Sequence, residues 1–130
     1  MPPATEPMVV YIVDDDASVR CGMARLMRSA GHEPRVCETG EAFLAQVQAD
    51  RPGCVLLDIT LPGMTGLKVQ AQLLERRIML PVIAVSARDD DETLRLAREL
   101  GVRLFLHKPV DGQALLDAIG WVTGAGGGHS

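Results

Sequence analysis

The stretch Val9–Gly31, "VVYIVDDDASVRCGMARLMRSAG", decides the fold. Its first five residues are apolar without a break, the signature of a strand buried on both faces. From Ala17 to Ala30, the residues Val19, Met23, Leu26, Met27 and Ala30 recur on one helical face, and Gly31 ends the helix. Between strand and helix stand three carboxylates, Asp14, Asp15 and Asp16. Like charges crowded at a strand end need a compensating partner.

The same strand-then-helix unit repeats along the chain. Arg35–Cys37 reads as a weak second strand, followed by a helix that Thr39 caps and that carries Phe43, Leu44 and Val47. Cys54–Asp58, "CVLLD", is a third strand and again ends in a carboxylate. After the turn-rich "TLPGMTG", Thr65 caps a helix bearing Leu67, Gln70, Leu73 and Leu74. Pro81–Ser86, "PVIAVS", is a fourth strand. Asp90 or Asp91 caps a helix running to Leu100, and Gly101 closes it. Arg103–Leu106 is a fifth strand, and Asp111 caps a last helix with Leu115, Ile119 and Val122. Five β-α units with apolar strands predict an α/β fold: an open parallel sheet, doubly wound, with helices on both faces.

Length and composition agree. The chain has 130 residues, one domain's worth, with 47% apolar and 23% charged residues. A net charge of -4 and 3% aromatics give neither a basic face for nucleic-acid phosphates nor a stacking platform for bases. Cys21, Cys37 and Cys54 lack zinc or CxxC spacing and read as reduced, mostly buried thiols, Cys21 as helix packing. The opening "MPPATEPM" has no secretory pattern, and no apolar run nears the ~20 residues that cross a bilayer, so the expected compartment is the cytoplasm. Residues 1–8 read as a disordered lead, 9–122 as the domain, and 123–130 as a Gly-rich tail or shortened linker.

In doubly wound sheets the ligand site lies outside the carboxyl ends of the strands. Strand one ends there in Asp14, Asp15 and Asp16, strand three in Asp58, strand four in Ser86, and strand five in His107-Lys108-Pro109. Carboxylates gathered at one rim need a cation. Mg²⁺ suits an all-oxygen set, with Mn²⁺ as its substitute, and Lys108 supplies a point charge. A carboxylate in such a place can attack a phosphoryl group and become an aspartyl phosphate. The remaining parts meet the needs of phosphoryl transfer. Metal and Lys108 offset charge on the phosphoryl oxygens, the Ser86 hydroxyl donates to one of them, and small Ala87 leaves room.

These residues resemble the response-regulator receiver domain of two-component signalling, over about residues 9–122. Asp14-Asp15 is similar to that family's metal-binding pair. Asp58 with "ITLPGMTG" resembles its phosphoacceptor loop, with Pro62 and Gly66 at the usual offsets. Ser86-Ala87 is similar to its hydroxyl-small pair and Lys108-Pro109 to its Lys-Pro signature. Phe105 stands where the family keeps a switch aromatic, here without the hydroxyl of tyrosine. Thr60 stands where a backbone carbonyl completes the metal shell. The stretch "PGCVLLDITLPGMTGL" also resembles receivers that precede LuxR-type regulators.

The resemblance implies a flavodoxin-like sheet in the order 2-1-3-4-5. It implies phosphotransfer onto Asp58 from a sensor histidine kinase or a phosphotransfer protein, and a surface of helix four, strand five and helix five that switches and can pair in a homodimer. It makes the chain a signalling switch that acts only on its own phosphate and does not itself bind nucleic acid, either a stand-alone receiver or one cut from a larger regulator whose output domain could bind DNA. Two alternatives stand beside it. A haloacid-dehalogenase-type hydrolase would carry a second Asp where this chain has Thr60. An interaction module independent of phosphorylation would have no use for the acidic cluster. Milder readings cover the rest: Thr39, Thr65 and Asp111 as caps, Met23 and Met27 as core, Asp16 as a first-turn acid, "RDDDE" (Arg88–Glu92) as a solvated helix start. His32, His107 and His129 have no ligand spacing, and His107 reads as strand-end surface.

Overall fold

The computed structural model describes residues 8–48, 51–87 and 90–124. Five strands alternate with five helices: β1 (Val9–Val13), α1 (Ala17–Ser29), β2 (Glu33–Cys37), α2 (Gly40–Gln46), β3 (Gly53–Asp58), α3 (Gly66–Glu75), β4 (Val82–Ser86), α4 (Asp91–Glu99), β5 (Leu104–His107) and α5 (Gly112–Thr123). All strand pairings are parallel, in the order β2-β1-β3-β4-β5. This is the expected doubly wound, flavodoxin-like sheet.

Period-two alternation splits β1 between two cores. Val10 and Ile12 face a core shared with Ala24 and Met27 of α1 and with Leu115, Ala118, Ile119 and Val122 of α5. Val9, Tyr11 and Val13 face a second core with Phe43 and Leu44 of α2 and Val69 and Leu73 of α3. The Tyr11 and Phe43 rings meet edge to face with centroids 5.3 Å apart. The buried phenol keeps a partner, because the Gln48 N–H donates to its oxygen at 2.9 Å.

Caps follow the sequence closely. Thr39, Thr65, Asp90 and Asp111 each accept a backbone N–H at a helix start. Asp90, not Asp91, caps α4. Asp16 lies one step outside the first turn and is itself the cap of α1, accepting from the N–H groups of Ser18 and Val19.

Several expectations are corrected. β2 begins at Glu33 and includes Pro34, which an edge strand tolerates. α2 ends at Gln46, with Val47 as its cap, and β5 runs Leu104–His107 rather than from Arg103. α3 buries Gly66, Val69, Gln70 and Leu73, whereas Leu74 is exposed. Cys37 and Cys54 are buried but Cys21 is exposed, so it does not pack the helix. Burial pushes the Cys37 thiol up to about 11 and the Cys54 thiol up to about 12, so both stay protonated at neutral pH. The single tryptophan, Trp121 on α5, is 68% exposed. Most of the predicted lead and tail, and the first two residues of "RDDDE", lie outside the described residues. No helix among the described residues is long and apolar enough to cross a membrane.

Candidate functional site

Register places the rim. Val13 pairs with Leu57, so Asp14 and Asp58 follow side by side at the ends of β1 and β3. Asp58 pairs with Val85, and Ser86 with His107. Lys108 therefore begins one residue beyond β5, and its N–H donates to the Ser86 carbonyl at 2.9 Å. Its peptide bond to Pro109 is cis.

The two buried acids are held by the same local device. The Asp16 N–H donates to Asp14 Oδ1 at 2.9 Å, and the Thr60 N–H to Asp58 Oδ1 at 2.9 Å. Each carboxylate thus bonds the backbone two residues on, a turn that aspartate favours. Thr60 adds its hydroxyl to the same Asp58 oxygen, also at 2.9 Å. Arg20 reaches back from α1 to donate to the Asp14 carbonyl at 2.8 Å. Gly66 lets α3 start tight against the Asp58 loop, since a Cβ there would stand 2.5 Å from the Asp58 carbonyl oxygen and 2.6 Å from Ile59 Cα.

Lys108 ties the cluster together. Its Nζ donates to Asp14 Oδ2 at 2.9 Å and to Asp58 Oδ2 at 3.2 Å. Asp14 is 2% exposed and Asp58 3%, while the lysine side chain retains partial access to solvent. Burial pulls the Lys108 pKa down, but the hydrogen bond to Asp14 and the charges of Asp58 and Asp14 outweigh it and raise the pKa.

Asp15 is exposed and completes the cluster. One carboxylate oxygen from each of Asp14, Asp15 and Asp58 lies within 4.8 Å of the others. Three carboxylates facing one ammonium leave negative charge uncompensated, and the donors are all oxygen. That set fits a hard divalent cation.

The structure brings Asp14, Asp58, Thr60 and Lys108 into contact and Asp15 alongside them. Ser86 is fully buried at the end of β4, with Ala87 exposed beyond it. Phe105 is half-buried and lines a cleft with Leu94, Ala97 and Val102 beside α4. From Lys108 and Ala87 a groove of about 740 Å³ runs between Val19, Met23 and Leu26 of α1 and Leu115 of α5. Three contacts escaped sequence reasoning: the Thr60 hydroxyl on Asp58, the Asp16 N–H on Asp14, and Arg20 on the Asp14 carbonyl. The Asp-x-Thr spacing is the signal that could have found the first.

Comparison with known proteins identifies the family. Residues 10–120 match the family model described as the response regulator receiver domain. The chain belongs to the response-regulator receiver family. It is 38% identical over 110 residues to the transcriptional regulatory protein TdiR of Thauera aromatica, covering 85% of this chain and 48% of that protein. It is 36% identical over 111 residues to the response regulator protein TodT of Pseudomonas putida, covering 85% and 49%. Among solved structures, the response regulator StyR superposes with a TM-score of 0.85 at 37% identity, covering 92% of this chain and 60% of that one. The receiver thus spans about half the length of these two curated relatives.

Proposed function

We propose that this receiver takes a phosphoryl group onto Asp58 from the phosphohistidine of a sensor histidine kinase or phosphotransfer protein. The observation that carries this reading is the single Lys108 ammonium shared by two buried carboxylates, one of them Asp58.

The chemistry needs no general base, because the nucleophile is an ionised carboxylate. An Asp58 oxygen attacks phosphorus as the P–N bond to the donor imidazole breaks. The imidazole leaves with the bonding pair and takes a proton from water. Lys108 and the Ser86 hydroxyl stabilise the charge on the equatorial oxygens. Asp14, Asp15 and Asp58, with the Thr60 carbonyl, would hold Mg²⁺ or Mn²⁺, which supplies further charge neutralisation at those oxygens. Small Ala87 leaves the approach clear, and Pro109 shapes the chain where Lys108 enters. The apolar groove that opens at Lys108 suits an amphipathic donor helix.

The new dianion draws Ser86 and Lys108 toward it and favours the arrangement in which Phe105 turns inward. The α4-β5-α5 surface changes as a result and can pair two copies. The chain is accordingly a cytoplasmic switch, with residues 9–122 as its functional unit, residues 1–8 as a lead and 123–130 as a Gly-rich tail or linker. DNA binding falls to a separate output domain, in keeping with relatives named as transcriptional regulators. Acetyl phosphate with Mg²⁺ tests the assignment: the parent accumulates an acid-stable, base-labile phosphate and Asp58→Asn does not. Equal labelling of the two would overturn it.

A further inference from the structure

α4 is held by little. Asp90 caps it in solvent, and Ala97 is its only buried residue. A buried polar anchor sits at the other end. Gln70 of α3 is 4% exposed, and its Nε2 donates to the Leu100 carbonyl at 2.7 Å. Leu100 caps α4, and its carbonyl is one of the helix-end acceptors that lack an intrahelical donor. Among the described residues, Gln70 Oε1 is buried without a partner. A buried amide with one arm engaged and one open is an exception among native side chains.

The two helices joined here answer to different sides of the rim. α3 starts against the Asp58 loop, where the Gly66 N–H donates to the Ile59 carbonyl at 3.1 Å. α4 starts beyond Ser86, in the loop after β4. We propose that Gln70 is the pivot of α4: it pins the C-terminal end of that helix to α3 while the N-terminal end moves on phosphorylation. The proposal rests on the phosphoacceptor reading and adds the point about which the switch turns. A leucine at position 70 would anchor α4 through diffuse packing, whereas an amide gives one directional bond that rotation about it can preserve.

Amide hydrogen exchange on the 130-residue chain, with and without beryllofluoride and Mg²⁺, tests it. In the parent, beryllofluoride changes protection at the site and along α4. In Gln70→Met, which keeps the side-chain length but cannot donate, amides 94–101 of the free protein exchange at least tenfold faster. Those of β1, β3 and α5 hold their rates, and the beryllofluoride response at α4 disappears. Gln70→Asn, an amide too short to reach Leu100, gives the same result and stands in if the methionine variant fails to fold. Parent-like exchange and response at α4 in either variant would overturn the pivot while leaving the phosphoacceptor reading intact. A parent that ignores beryllofluoride would instead sink that reading, and the pivot with it.

Discussion

α3 and α4 both begin just past the acidic rim, yet they are attached in opposite ways. α3 buries Gly66, Val69, Gln70 and Leu73 and is locked to the Asp58 loop through a glycine contact that admits no side chain. α4 buries Ala97 alone among its residues and leans on a hydrogen bond from its neighbour. Under the proposed function the contrast separates two tasks. An acceptor carboxylate that stays where its partners can reach it suits a packed side of the rim. An element that reports the acceptor's state and must reorient cheaply suits a loose one.

Truncating each side should expose that difference. Leu73→Ala empties a fully buried site under the packed helix and should cost about 2–5 kcal/mol, lost in one cooperative transition in a urea melt. A smaller effect confined to α3 amides would erase the contrast. Lys108→Met removes the ammonium shared by Asp14 and Asp58 and leaves both buried without a counter-charge. A loss of about 2 kcal/mol is expected, below the roughly 3–5 kcal/mol of a fully buried pair because the ammonium is partly solvated. Added Mg²⁺ should restore much of it, read as a larger metal-dependent rise in Tm for the variant than for the parent. On the loose side, Asp90→Ala removes the α4 cap and should cost about 1 kcal/mol, visible as faster exchange in the first turn of α4 and nowhere else.

The pH dependence of the tie is the finest probe. The folded Lys108 pKa is raised, so its contribution is full below the ordinary lysine value of 10.5 and fades as pH climbs through the higher folded value. The gap in urea midpoint between parent and Lys108→Met should therefore be flat around neutral pH and close only above 10.5. Closure near neutrality would mean that the ammonium is not seated between the acids.

The central strands could be read from sequence because burial on both faces forces an unbroken apolar run, as in β1, β3 and β4. The edges could not. β2 and β5 each have a single neighbour, so Glu33, Pro34 and His107 are tolerated and the ends blur. Asp14, Asp15, Asp58 and Lys108 were legible because each ends or follows a strand, and a parallel sheet gathers strand ends. Contacts to backbone distant in sequence were not. The Leu100 carbonyl that holds Gln70 lies 30 residues away and leaves no side-chain trace. Cys21 lies roughly 120° round the helix from Met27, at the boundary where a wheel cannot separate packing from exposure; the structure puts it outside.

The lone indole ring of Trp121 stands in water on α5. Its emission is a built-in gauge of one patch of skin: a blue shift reads coverage of that patch, with no dye attached. Titrating any binder against this fluorophore sorts those that sit on α5 from those that dock elsewhere.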